Sequence, residues 1–257
     1  MTVTKELVQA LRARTNAGIL DCKKFLIETN GDVDAAAQKL REAGISKADK
    51  KLSRQTSEGR VFGAVDQSGT YGFVCTLNCE TDFVADSDSF LLFMENAKKM
   101  ILNNQIATKE DMQDTIMLDG STFDDARKLL VSTLGENIQV GQFYATKVSE
   151  GYLSLYEHHD GKRCVLVHMS GGDDQSQVAR DIAMHILVTK PLVIHPDDLK
   201  DSDMHSQLEV FSAQVEKMNK PENIAEKIMA GKIDKYKNEI SLMGQSFVKN
   251  PEIKVSE

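Results

Sequence analysis

No stretch of this 257-residue chain is apolar for long enough to cross a bilayer. The N-terminal run Met1 to Glu6 leads into no apolar h-region, so no secretory signal is expected and the protein reads as cytoplasmic, away from any membrane. Cysteine is scarce: Cys22, Cys75, Cys79 and Cys164 form no CxxC pair and no zinc spacing. They are expected to be small buried hydrophobes in a reducing compartment. A basic excess is also missing. The net charge is −8, whereas a nucleic-acid binder carries a dominant basic face, so no direct nucleic-acid contact is expected. The phosphate loops GxxxxGKS and GxxxxGKT, the zinc motif HExxH, the nucleophile elbow GxSxG and the dinucleotide fingerprint GxGxxG are all absent. The chain therefore reads as a non-enzyme with no cofactor. His158, His159 and Asp160 are adjacent in one tight turn and do not readily all face one ion, so no metal site is expected either.

What is present is an ordinary globular composition, 41% hydrophobic and 27% charged, with length for two or three small domains. The charge is uneven. Residues 1–60 hold 12 basic and 8 acidic side chains, and the remainder holds 19 and 31. That pattern fits a protein partner with charges of its own.

Residues 1–44 read as three short helices. Thr4 caps the first, the turn Thr15-Asn16-Ala17-Gly18 breaks it, Asn30-Gly31 closes the second, and Asp32 caps the third, which ends at Gly44. The polar, basic run 45–58 reads as a linker, giving an N-terminal domain and linker over 1–52. From residue 58 the chain repeats itself with an offset of 92: Glu58-Gly59 matches Glu150-Gly151, and Gly69 matches Gly161. Each copy predicts strand, tight turn, strand and helix: 60–66, 70–78 and 90–101 in the first, 152–157, 163–169 and 177–188 in the second. Alternation at Val61, Gly63 and Val65, and at Phe73, Cys75 and Leu77, marks half-buried strands. A further helix is predicted over 123–134. His168 and His185 read as satisfied core histidines. The fold class is α+β, with one antiparallel-sheet-plus-helix subdomain over 55–140 and a related one over 141–257. Within the latter, about 197–240, Leu208, Phe211, Val215 and Met218, then Met229, Ile233, Tyr236 and Ile240, step like two antiparallel helices of a coiled-coil arm. Its exposed apolar positions leave a homodimer through the arm open.

The two copies differ after the second strand. Copy two continues as Ser170-Gly171-Gly172-Asp173-Asp174-Gln175, with no aromatic. Copy one continues as Glu80-Thr81-Asp82-Phe83-Val84-Ala85-Asp86, a strand-to-helix loop that sets a large ring among acids. Two readings of this loop stand side by side. Thr81, Asp82 or Ser87 caps a helix and Phe83 tucks in as a hydrophobic staple, or Phe83 is presented to a partner.

The string N-C-E-T-D-F-V-A, Asn78 to Ala85, resembles the signature of bacterial elongation factor Ts, the nucleotide exchange factor of the GTPase elongation factor Tu. The stretch R-T-N-A-G-I-L-D-C-K-K-F-L, Arg14 to Leu26, resembles that family's N-terminal signature. Asn16 stands for its usual glycine, and Ile19 and Leu20 stand for its paired methionines. The three helices are similar to the ubiquitin-associated type of domain. Gly135-Glu136-Asn137-Ile138, the arm, and Leu242 to Val248 also look like the family. The resemblance covers about residues 5–252. Its longer members continue past this point and add a C-terminal module that touches the GTPase, so the chain is short there and one partner contact is expected to be missing. The resemblance implies a translation factor that binds elongation factor Tu with GDP and promotes GDP release. Thr81, Asp82, Phe83 and Val84 would intrude at the partner's magnesium site, while Arg12, Ile19, Leu20 and His158, with His159 adjacent, would bind the partner. The competing expectation is an interaction or scaffold protein dimerised by its arm, which would bind without affecting nucleotide release.

Overall fold

The computed structural model describes residues 3–15, 17–171 and 176–257, so Asn16 and the second-copy stretch 172–175 lie outside the described residues. The chain divides into two compact units, Met1–Gly171 and Gly172–Glu257.

The first unit opens with α1 (Lys5–Thr15), α2 (Ile19–Glu28) and α3 (Val33–Asp49). Thr4 Oγ1 accepts from the Leu7 N–H at 3.4 Å. Asn30 and Gly31 take the left-handed conformation that ends α2. Asp32 accepts from the N–H groups of Asp34 and Ala35 and starts α3. Leu11, Cys22, Phe25, Leu26, Ala36 and Leu40 form the small core. α3 does not end at Gly44, and residues 45–49 are not linker. Gly44 is buried against the helix Phe123–Leu134, where an added Cβ would lie 3.4 Å from Ser132 Cβ. Ala48, one turn on, joins the main core. Two small residues one turn apart let the backbones approach, and the charged residues of 45–50 stay on the outer face.

The main core lies between helices and a three-stranded antiparallel sheet, ordered β1 (Glu58–Val65), β2 (Tyr71–Cys79), β3 (Gln139–Lys147). Between β2 and β3 come α4 (Asp82–Ala85), α5 (Asp88–Asn104), α6 (Lys109–Gln113) and α7 (Phe123–Leu134). Phe73, Cys75 and Leu77 are buried as their alternation predicts, but on β1 it is Phe62 that sinks into the core, while Val61 and Val65 are only partly covered. The reason is that the sheet has two occupied faces. Phe62 meets Phe73 edge-on, with ring centroids 6.0 Å apart, on the helix side. Gly63 and Gly72 face a second hairpin, β4 (Tyr152–Glu157) and β5 (Cys164–Met169), where added Cβ atoms would come within 3.0 Å of Leu155 and 3.1 Å of Leu166.

The two hairpins are joined by a reciprocal exchange. The Val61 N–H donates to Gly161 O at 2.8 Å, and the Leu153 N–H donates to Gly69 O at 2.7 Å. Both pairs are related by the same offset of 92 that relates the repeated glycines. Gly59 and Gly151 have positive φ, and an added Cβ would lie 2.2 Å from Leu77 O and 2.0 Å from Met169 O, respectively. Only glycine lets the two strands of each hairpin close at that point.

The second unit holds α8 (Ser176–Thr189), α9 (Asp201–Glu216), α10 (Glu222–Ile240) and a two-stranded ladder, β6 (Ser246–Phe247) and β7 (Asn250–Lys254). Phe211 meets Tyr236 with centroids 5.9 Å apart, and Lys232 donates to Gln214 at 2.7 Å, so α9 and α10 run antiparallel. His185 is a satisfied core histidine. Its Nε2 bonds to Gln245 Oε1 at 2.9 Å and its Nδ1 accepts from the Val248 N–H at 3.2 Å. His168, in the first unit, is instead exposed, with Nε2 on Glu150 O at 2.9 Å. Among the described residues, no helix is long and apolar enough to cross a membrane.

Candidate functional site

The loop after β2 forms a single helical turn. Thr81 is its N-cap, with extended backbone and Oγ1 accepting from the Val84 N–H at 3.4 Å. Val84 and Ala85 point into the main core. Phe83 directly precedes these two anchors in sequence, and its ring is 84% exposed. It does not act as a staple. A four-residue helix cannot bury opposite faces at once, so fixing Val84 and Ala85 inward turns Phe83 outward.

Isolated turns of this length do not hold their own shape in water, and this one is held at both ends. At its start, Glu136 takes both donors of Thr81: the N–H on Oε2 at 3.0 Å and the hydroxyl on Oε1 at 2.6 Å. Glu80 reciprocates by accepting the Asn137 N–H at 2.6 Å, and it also pairs with Arg54 at 3.4 Å. At its end, Arg60 donates to Ala85 O at 3.0 Å and pairs with Asp86 at 2.6 Å. Two of the three acids around the ring are therefore structural. Asp82 is exposed, its carboxylate accepts the adjacent Phe83 N–H at 2.9 Å, and no cation pairs with it among the described residues.

Arg60 also links this turn to the second hairpin, since an added Cβ at Gly161 would lie 2.2 Å from its guanidinium. The hairpin tip carries His158 half-buried, with Nδ1 3.2 Å from the Tyr156 hydroxyl, while His159 packs on it at 4.2 Å between centroids and is exposed. The pair His158 and Asp160 is separated by 3.9 Å, and Asp160 is occupied by Arg163 at 2.9 Å. Among the described residues, no cluster of histidine, cysteine and carboxylates is arranged to hold a metal ion.

Of the other residues singled out by sequence, Arg12 lies exposed in the last turn of α1. Ile19 and Leu20 begin α2 and are 56% and 83% exposed, an apolar pair left in water. Thr81, Asp82, Phe83 and Val84 are brought together in one turn, with Thr81 and Val84 as its mount and Asp82 and Phe83 as its presented part. The four cysteines are free, and burial pushes the Cys75 and Cys164 thiols up to about 12 and that of Cys79 up to about 11, so none is a poised nucleophile. Sequence reasoning missed Arg60 and the Glu80–Asn137 and Thr81–Glu136 bonds. They join residues 25 to 57 positions apart, and no local pattern encodes such pairings.

A family model described as elongation factor TS matches residues 80–257. The elongation factor Ts of Methylococcus capsulatus is 39% identical over 253 residues, covering 98% of this chain and 85% of that relative. That of Halorhodospira halophila is 40% identical over 257 residues, covering 98% and 85%. That of Arthrospira platensis is 40% identical over 248 residues, covering 96% of this chain and 99% of the relative.

Proposed function

The chain belongs to the elongation factor Ts family of translation elongation factors, and on that premise we propose that it is a cytoplasmic guanine nucleotide exchange factor for elongation factor Tu. It cleaves nothing and uses no cofactor. The observation that carries this reading is Phe83, a ring 84% exposed on a turn clamped at both ends. Leaving such a ring in water forgoes about 1.5–3 kcal/mol of burial, which is recovered only when a partner covers it.

A GTPase holds GDP through backbone N–H groups around the phosphates and a magnesium ion with its waters. In this reading Phe83 wedges between structural elements of elongation factor Tu beside that ion. The Asp82 carboxylate, which pairs with no cation among the described residues, disturbs the water shell, and Thr81 and Val84 hold both in place. Ile19, Leu20 and Arg12 grip the GTPase surface, and the His158 hairpin tip packs on the phosphate side. The factor's interface and the nucleotide's contacts then oppose one another, so each ligand weakens the other by the same factor.

The test is release of a fluorescent GDP analogue from elongation factor Tu. Acceleration by the parent chain, reduced at least tenfold by Phe83→Ala, is the expected result. Release at the spontaneous rate with the parent overturns the reading. A second reading rests on the antiparallel α9–α10 pair acting as a coiled-coil arm, where Val210, Met218 and Ile224 remain exposed. It makes the protein a scaffold that dimerises through the arm and binds without changing nucleotide release. Sedimentation of the parent and of Val210→Ser separates the two.

A further inference from the structure

We infer that Glu136 is a positioning residue for nucleotide exchange, acting through Thr81 on the Phe83 turn. The inference rests on the exchange reading above. Its ground is the geometry of the Thr81 contact. One carboxylate takes the N–H at 3.0 Å and the hydroxyl at 2.6 Å of a single residue, which fixes that residue's backbone direction and its χ1 together. The hydroxyl proton is committed to Glu136, so the Thr81 oxygen keeps a lone pair for the Val84 N–H. The direction in which α4 leaves the sheet, and hence the direction of Phe83, follows from that arrangement.

Glu136 is itself firmly placed. It lies between Gly135, whose left-handed conformation closes α7, and Asn137 and Ile138, both fully buried. Arg127 donates to Ile138 O at 2.8 Å. Asn137 returns the contact by giving its N–H to Glu80 at 2.6 Å and its side-chain amide to Arg54 O at 2.7 Å. Two consecutive residues on each side thus exchange carboxylate-to-N–H bonds, and the α7–β3 connection becomes the fixed reference for the turn. A carboxylate accepts both Thr81 donors. A carboxamide accepts the N–H through its one oxygen and meets the hydroxyl with NH₂, which reverses that bond and removes the charge that strengthens both, so Glu136→Gln loosens the turn with little change in volume.

The experiment is GDP-analogue release from elongation factor Tu across a titration of the factor, for the parent, Glu136→Gln, Phe83→Ala and the double variant. The control is Glu157→Gln, which alters a comparable carboxylate-to-N–H bond, to Gly63 at 2.8 Å, far from Thr81 in sequence. Glu136→Gln is expected to lower the maximal release rate at least fivefold while the half-saturating concentration moves less than threefold, because the grip by α1 and α2 is untouched. In the Phe83→Ala background, Glu136→Gln is expected to add nothing, since it acts through that ring. Amide exchange at Val84 and Ala85 should quicken in Glu136→Gln and not in Glu157→Gln. A parent that accelerates release together with an unaltered Glu136→Gln, or a loss that multiplies with that of Phe83→Ala, overturns this inference alone. A Glu157→Gln variant with the same loss of maximal rate makes the effect one of general stability and also overturns it. A parent that does not accelerate release overturns the exchange reading and this inference with it.

Discussion

The two hairpins of the first unit, β1–β2 and β4–β5, are alike wherever backbone must approach backbone and unlike where something is presented outward. Gly59 and Gly151 close them at one end, Gly69 and Gly161 turn them at the other, and each turn carbonyl accepts an N–H from the opposite hairpin. These features are duplicated because face-to-face packing of two related hairpins requires them in both. Among the described residues the first hairpin carries a third strand, β3, and the second does not; the connection leading into β3 reaches back to the Phe83 turn through Glu136. The second leaves through Ser170 and Gly171, with no ring. The repeated features form a shared platform, and the presented turn stands at the end of the first copy.

The largest test of this comparison is a pair of substitutions, Gly59→Ala and Gly151→Ala. Each forces a Cβ to about the same place, 2.2 and 2.0 Å from a carbonyl oxygen at positive φ. Each is expected to lose on the order of 3 kcal/mol in urea unfolding. Equal losses support the equivalence of the copies, and a tolerated alanine in either breaks it. A smaller effect probes an asymmetry. Glu157 accepts the Gly63 N–H at 2.8 Å and pairs with Lys98 at 3.3 Å, while its counterpart by the offset is Val65. Glu157→Ala should lose about 1 kcal/mol, and Val65→Ala should not change the acid or salt dependence of stability.

The hairpin turns offer a pH test. At Asp66 burial pulls the carboxyl up, but hydrogen bonds from Tyr71, Ser68 and Thr70 outweigh it and hold it below the usual carboxylate range. Asp160 is held low by the Lys162 N–H and by Arg163. A depressed carboxyl stabilises the fold above its unfolded value of about 3.9, and that stability is lost as pH falls through the lower folded value. Thermal melts from pH 5 to 2.5 should therefore fall less steeply for Asp66→Asn and Asp160→Asn than for the parent. Equal slopes in all three would remove both turns from the acid response. The smallest expected change in stability belongs to the residue with the largest proposed role. Phe83→Ala should stay within about 0.5 kcal/mol of the parent. A loss of several kcal/mol would place the ring in the core of the folded protein and end its distinction from the second copy.

Much of this was legible in the sequence because it is local. Helix caps such as Thr4 and Asp32, the turn pair Asn30-Gly31 and the apolar spacing of α5 and α7 act over three or four residues, and the structure places these elements where those signals stand. Phe62 was harder to read, because alternation shows which residues share a face and not which face meets the helices. The linker expected from 45 was overturned at Gly44 and Ala48, whose small side chains look unremarkable until a second helix packs on them. The candidate site was legible as a string, T-D-F-V-A, but that string is equally good as a cap and staple. The structure has the Thr81 cap, and the exposure of Phe83 rules out the staple.

The sequence by itself determined the repeat, the helix boundaries set by capping and the family to which the chain belongs, since each is written in contiguous residues or fixed offsets. Only the tertiary structure decided which acids are occupied and which ring is free. Glu80, Asp82 and Asp86 are alike in sequence, but Glu80 is drawn in by the Asn137 N–H and Asp86 by Arg60, leaving Asp82 beside Phe83 at the surface. The physical reason is that a carboxylate's role depends on the donors within hydrogen-bond reach, and here those donors come from residues tens of positions away.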